Sequence, residues 1–228
     1  MRISTKYLVL CILFFATIAC ETDDNSDGIK EPYYQFTSDD EELIIKFDYA
    51  PNQIITYKNQ DGDELNFKVI LNERKIAINT TRGTFAGGGG SFLNHYDSKI
   101  IRFEILENNN YQEEGLVNYI FSKNDDFFNY GINLPIWNKA SFIFMDELAN
   151  DTNIPSSAIS NFNQTQLTVN NHQFNKVIII ESGSNEIYDN FQYGTLIKNV
   201  NKIYYDYDFG IIKFENINGD VWEVIYPE

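Results

Sequence analysis

The sequence predicts an all-β fold: a single antiparallel domain, either a strongly curved sheet or half-barrel or a β-sandwich, with one or two short helices. Three observations carry this expectation. Apolar and polar residues alternate with a period of two in many short runs, as where Leu65, Phe67 and Val69 interleave with Asn66 and Lys68; that is the pattern of a half-buried strand. Turn residues separate the runs, most clearly Asp61-Gly62 and Asn218-Gly219, since glycine accepts the positive φ of a tight hairpin. Aromatic residues and Ile are abundant, and no segment keeps helical periodicity over three turns.

The elements follow in chain order. Residues 54–58 and 65–70 flank the turn Gln60-Asp61-Gly62-Asp63 and form the first hairpin. Residues 74–79 read as a further short strand. Ile101, Phe103 and Ile105 alternate with Arg102 and Glu104, and residues 116–121 follow a polar stretch. Residues 142–145, 167–169 and 174–180 continue the series. Residues 203–207, 211–214 and 221–226 end it, with Asn218-Gly219 turning the last hairpin. The total is ten to twelve strands at the spacing usual for all-β domains. Pro155 suits the first turn of a short helix over the residues after it, and residues 185–191 are a second, weaker helical segment. No tandem repeat and no second linker interrupt the series, so residues 33–228 read as one domain.

The chain begins differently. Arg2 and Lys6 precede twelve uncharged, largely apolar residues, Tyr7 to Ile18, and Ala19-Cys20 closes the run. Positive charge, a short apolar run and a small residue make a secretory leader. A spanning helix needs about 17–25 residues, more than this run holds. Thr17-Ile18-Ala19-Cys20 resembles the lipobox of bacterial lipoproteins, although Leu is commoner where Thr17 stands. The resemblance implies cleavage after residue 19 and lipid on Cys20, hence a membrane partner through that lipid. Each buried acyl carbon adds ~0.8 kcal/mol, so two or more chains hold a protein stably on a bilayer. Residues 20–32 lack aromatics and can bury little, so they read as a mobile tether. Glu21, Asp23, Asp24 and Asp27 resemble the acidic stretch behind the lipid Cys of surface-exposed lipoproteins of Bacteroidetes. That resemblance implies an outer-membrane protein facing outward.

Two further stretches resemble uncharacterised flavobacterial lipoproteins. Ile54 through Val69, with its Asp61-Gly62 turn, is similar to their early hairpin. Tyr204 through Phe214, followed by Asn218-Gly219-Asp220-Val221-Trp222, is similar to their closing hairpin, in which Gly210 lies at a bend and Trp222 on the last strand. The resemblance covers about a quarter of the domain. It implies an address and a fold, and no activity.

Composition removes several functions. The formal charge is −16, and it becomes −18 once Arg2 and Lys6 leave with the leader. Such a surface repels phosphate backbones, which argues against nucleic acid as a partner. The only cysteines are Cys11, in the leader, and Cys20. The domain therefore lacks disulfides, thiol nucleophiles and thiolate metal sites. All 15 Tyr but Tyr7, all 18 Phe but Phe14 and Phe15, and both Trp lie from Tyr33 onward, and this step in composition sets the domain boundary.

Candidate sites are few. Gly87 to Gly90 lacks the Lys and helix of a phosphate loop and reads as a loop tip. His95 and His172 have no metal-ligand spacing, so no metal or other cofactor is expected. Ser184 in ESGSN lacks the nucleophile-elbow pattern. Asp39-Asp40-Glu41-Glu42, Asp125-Asp126 and Asp146-Glu147 are the acidic pairs a glycosidase would need, yet sequence does not show two of them converging. Asp61 with Asp63, and Asp206 with Asp208, are carboxylates at calcium-like spacing without the EF-hand continuation. Tyr204, Tyr205, Tyr207 and Phe209 crowd together. Phe127, Phe128, Tyr130 and Trp137 make a second aromatic cluster around Gly131 and Pro135, and serve as the candidate ligand face. The leading expectation is a non-enzymatic binding or structural module of the envelope. A glycan-acting hydrolase and a carrier of an apolar ligand are the alternatives.

Overall fold

The computed structural model describes residues 32–80, 92–109, 115–125, 127–139, 142–144, 163–189 and 194–227. Tyr33–Glu228 form one compact unit. Its strands are β1 (Tyr33–Tyr34), β2 (Ile54–Lys58), β3 (Glu64–Thr80), β4 (Phe92–Ile105), β5 (Val117–Asn124), β6 (Phe127–Asn133), β7 (Phe142–Phe144), β8 (Thr165–Val169), β9 (His172–Glu181), β10 (Val200–Asp206), β11 (Gly210–Asn216) and β12 (Val221–Val224). The helical content of the described residues is one four-residue turn, α1 (Ser38–Glu41), and one 3-10 turn, Leu106–Asn108.

Eleven strands form one antiparallel sheet in the order β7-β6-β5-β4-β3-β2-β12-β11-β10-β9-β8, and β1 pairs in parallel with β4. Two meanders therefore grow in opposite directions from a central seam where the first hairpin meets the last. Lys58 pairs with Glu223 and Tyr57 with Val224 along that seam. Gly62, at φ +93°, and Gly219, at φ +96°, turn the two hairpins. The β8–β9 hairpin turns instead on Asn170 and Asn171, both at positive φ, a region that Asn tolerates better than most residues.

The sheet is rolled rather than flat. β5 and β11 are five steps apart in strand order, about 24 Å along a flat sheet at the usual spacing. Yet the Ile211 N–H on β11 donates to the Tyr119 hydroxyl on β5 at 3.1 Å. Further round, the Val200 N–H on β10 donates to the Ile136 carbonyl at 3.0 Å, and the Asn138 N–H donates to the Val200 carbonyl at 2.9 Å. The curved form of the expected fold is therefore the observed one. The sheet stays open.

The concave side is filled with Tyr57, Phe67, Tyr119, Phe121, Tyr205, Tyr207 and Phe214, all fully buried. Several of these are tyrosines for a reason. The bend at Phe209 to Ile211 carries backbone polar groups into the interior, and buried groups of that kind need partners. The hydroxyls of Tyr49 and Tyr57 donate to the carbonyls of Phe209 and Ile211, the latter at 2.7 Å. A strap, residues 33–50, is held on the sheet by contacts at several points. Lys123 on β5 meets Asp40 of the strap at 2.9 Å in a nearly buried ion pair. Tyr33 donates to Asp97 at 2.6 Å.

The structure departs from the sequence expectation at several places, three of them informative. Residues 65–70 and 74–79 belong to one 17-residue strand. The polar stretch between them is no turn: the register slips by one residue at Ile70 and pairing with β4 continues to Thr80. Residues 127–133 form a strand, although their aromatics do not alternate cleanly with polar residues. Residues 185–189 are not helical, and Tyr188 bridges Lys198. The helix expected after Pro155 lies outside the described residues.

Candidate functional site

A cleft of about 330 Å³ opens beside the Asp206–Phe209 turn. Lys46 and Phe47 of the strap form one wall, the start of β9 from His172 to Asn175 a second, and Tyr226 a third. Local backbone chemistry places each part. Asp206 is 3% exposed and spends both carboxylate oxygens on main-chain donors. One accepts from the N–H groups of Asp208 and Phe209, at 2.9 and 3.1 Å, and so closes an Asx turn. The other accepts from the Lys176 N–H at 3.0 Å and ties the turn to β9. The turn exposes the Asp208 carbonyl, which accepts from the N–H groups of Lys46 and Phe47 at 3.0 and 2.8 Å.

Aromatic rings line the floor and rim. Phe174 and Phe209 are buried beneath, 5.6 Å apart between ring centres. Phe47 stands edge-on to Phe209 at 4.8 Å. His172 lies flat on Tyr226, with ring centres 3.5 Å apart and planes within 6°. Phe47, His172 and Tyr226 keep part of their surface in solvent. The cleft thus combines apolar ring surface with the amides of Gln173 and Asn175 and the charged groups of Lys46 and Asp208.

At the rim two lysines and two carboxylates form a network. One Glu42 oxygen lies 3.0 Å from Lys46 Nζ and 2.9 Å from Lys176 Nζ. One Asp208 oxygen lies 3.6 and 3.2 Å from the same two atoms. The ammonium groups beside Glu42 hold its carboxyl at about 2, well below the ordinary carboxylate range, chiefly through the hydrogen bond from Lys176. The same contacts push Lys176 upward.

The aromatic quartet expected as a ligand face is divided by the fold. Trp137 is 3% exposed and bridges Val200 through its backbone, so its ring lies in the core. Tyr130 is equally buried and stacks on Phe121 at 5.0 Å. Phe128 is half-buried against Phe36. Phe127 alone is well exposed, at 60%. Neighbours along a strand point to opposite faces, so Phe127 and Phe128 cannot offer one platform. Trp137 and Tyr130 present no open face in this structure.

Other sequence candidates also have places. Asp40 caps α1 and pairs with Lys123. Glu41 binds Arg74, with oxygen and nitrogen 2.6 Å apart. Asp63 braces its hairpin through Asn59 at 3.0 Å. His95 sits on β4 beside Phe92. Among the described residues, no group of three or more His, Cys, Asp or Glu is arranged to hold a metal ion. Cys20, Glu21, Asp23, Asp24, Asp27, the glycines at 87–90, Asp126, Asp146 and Glu147 lie outside the described residues. Of the cleft itself, the sequence singled out Phe209 among its crowded aromatics, and His172, Asp206 and Asp208 only as metal-ligand candidates. Nothing local marks Lys46, Phe47, Lys176 or Tyr226, because the cleft joins segments well over a hundred residues apart.

No protein-family model, no curated protein and no solved structure matches this chain.

Proposed function

We propose that the chain is a lipid-anchored protein of the outer membrane, held by Cys20 and exposed at the cell surface, whose domain binds a glycan in the cleft of His172 and Tyr226 without acting on it. The observation that carries this reading is the cleft's make-up: partly exposed aromatic side chains above a buried aromatic floor, bordered by amides and charges. Sugars present apolar ring faces to aromatic side chains and hydroxyls to groups of that kind. Leader and lipobox support the anchor, and the acidic residues after Cys20 support the outward orientation.

Binding is favoured over hydrolysis by the state of the carboxylates. A glycosidase needs two carboxyl groups flanking the scissile bond, one of them supplying a proton. Both oxygens of Asp206 accept from the backbone, and Asp208 faces two ammonium groups. Binding is also favoured over apolar transport, because side chains fill the concave side of the described sheet.

The test is a glycan-array screen of the full chain, followed by titration of the hits. Replacing Tyr226 with Ala should weaken binding about tenfold or more, the scale of a lost ring contact plus buried area. Replacing Phe127 should change nothing. An unaltered affinity in the Tyr226→Ala protein would move the site away from this cleft. Metabolic labelling with a radioactive fatty acid should mark the wild type and fail on Cys20→Ala; equal label in both would remove the anchor.

A further inference from the structure

We infer that the cleft selects an acidic sugar, a unit carrying one carboxylate, and that Glu42 occupies the carboxylate position until the ligand displaces it. The inference rests on the glycan reading above and names the ligand class. Its starting point is the position of one oxygen. The Glu42 oxygen bridges Lys46 Nζ and Lys176 Nζ at 3.0 and 2.9 Å. Lys46 is itself a wall of the cleft, next in sequence to Phe47, whose ring helps to line it. A carboxylate between two ammonium groups at the edge of an aromatic cleft is the arrangement that a uronic-acid ring would make: its face on the rings, its acid on the lysines.

Glu42 is suited to leave. Its side chain is 65% exposed, it sits at the C-terminal end of a four-residue turn, and among the described residues its carboxylate meets only these two lysines. Exposed pairs of this kind contribute little, so exchanging one carboxylate for another is nearly neutral. Asp208 also contacts both lysines, at 3.6 and 3.2 Å, so each keeps one carboxylate partner when Glu42 leaves. The low protonation point of Glu42 reports the same field that an incoming acid would meet.

A neutral sugar gains nothing from displacing Glu42, whereas an acid recovers both charge-assisted bonds and adds ring contact. The formal charge of −16 works against long acidic polymers. Charges beyond ~8 Å are largely screened at physiological salt, so a short ligand with a single carboxylate is governed by the lysines nearby. The ligand class is therefore a uronic-acid unit in a short or sparsely charged glycan.

The experiment is calorimetric titration of the full chain with matched disaccharide pairs of gluco, galacto and manno configuration. Each pair consists of a uronate and the neutral sugar in which the carboxylate is a hydroxymethyl group. At least one uronate should bind about tenfold or more tighter than its neutral partner, the scale of a charge-assisted hydrogen bond. Lys176→Met and Lys46→Met should each erase that preference. Glu42→Gln should tighten uronate binding several-fold and leave neutral binding unchanged, a gain that damage to the fold cannot imitate. Equal affinity for the two members of every pair would overturn the inference while the cleft stands as a sugar site. Unaltered uronate binding in Glu42→Gln would also overturn it. Absence of binding by any sugar, acidic or neutral, would remove the glycan reading as well.

Discussion

Replacing Gly210 with Ala should cost about 3 kcal/mol, from two separate sources. The first is backbone strain. Gly210 has φ +103°, a region that costs a side-chain-bearing residue roughly 1–2 kcal/mol. The second is space. A Cβ at Gly210 would lie 3.1 Å from Cε2, Cζ and the hydroxyl oxygen of Tyr119. That ring cannot easily give way, because it is fully buried and its hydroxyl accepts from the Ile211 N–H. Overpacking of this kind costs about 1–3 kcal/mol. Gly219 separates the two contributions. Its φ is +96°, and nothing lies within 4 Å of its Cβ position, so Gly219→Ala should show the strain alone. Urea and thermal unfolding followed by circular dichroism measure both variants. At ~2–4 °C per kcal/mol for a domain of this size, Gly210→Ala should lower Tm by about 6–12 °C, and Gly219→Ala by about half as much or less. Equal losses in the two variants would show that the close approach of β11 to Tyr119 contributes nothing, and would refute the rolled interior deduced from it.

Asp40→Asn keeps a cap for α1 but leaves Lys123 charged and nearly buried; it should cost about 3–5 kcal/mol. A double-mutant cycle with Lys123→Met should recover much of that loss, and a coupling energy near zero would refute the pairing. The Glu42 carboxyl should titrate at about 2 by carboxyl-carbon NMR, and Lys176→Met should move it up toward the ordinary 4.5. Because its folded value is depressed, whatever Glu42 adds to strap docking is complete above the ordinary value and disappears as pH falls through the folded one; loosening of the strap already at pH 6 would contradict this sign. Replacing Glu21, Asp23, Asp24 and Asp27 with Asn should leave lipidation intact yet protect the domain from protease on whole cells. Equal digestion of variant and wild type would reduce the acidic stretch to a plain linker.

Local chemistry made much of the fold legible in the sequence. The strands with clean alternation, β2, the first half of β3 and the last half of β4, sit where the period of two puts them, and Gly62 and Gly219 turn hairpins at positive φ. These features depend only on neighbours along the chain. Others did not show. β6 carries aromatic residues on both faces, since one side packs in the roll and the other meets solvent at Phe127. The turn between β8 and β9 uses Asn170 and Asn171 in place of the usual glycine pair.

The sequence by itself determined the period of the strands, the tight turns, the lack of thiol chemistry in the domain, and the acidic surface, because each follows from composition or from residues a few positions apart. Only the tertiary structure decided which aromatics are buried and which line an open cleft. Rolling the sheet brings β5 against β11 and buries Tyr130 and Trp137, residues that a linear reading treats as a cluster. The same roll carries Lys46 and Phe47 from the strap, Lys176 from β9 and Tyr226 from the end of the chain to the Asp206–Phe209 turn. Burial and charge pairing are properties of closed distance, and closing those distances takes the whole sheet.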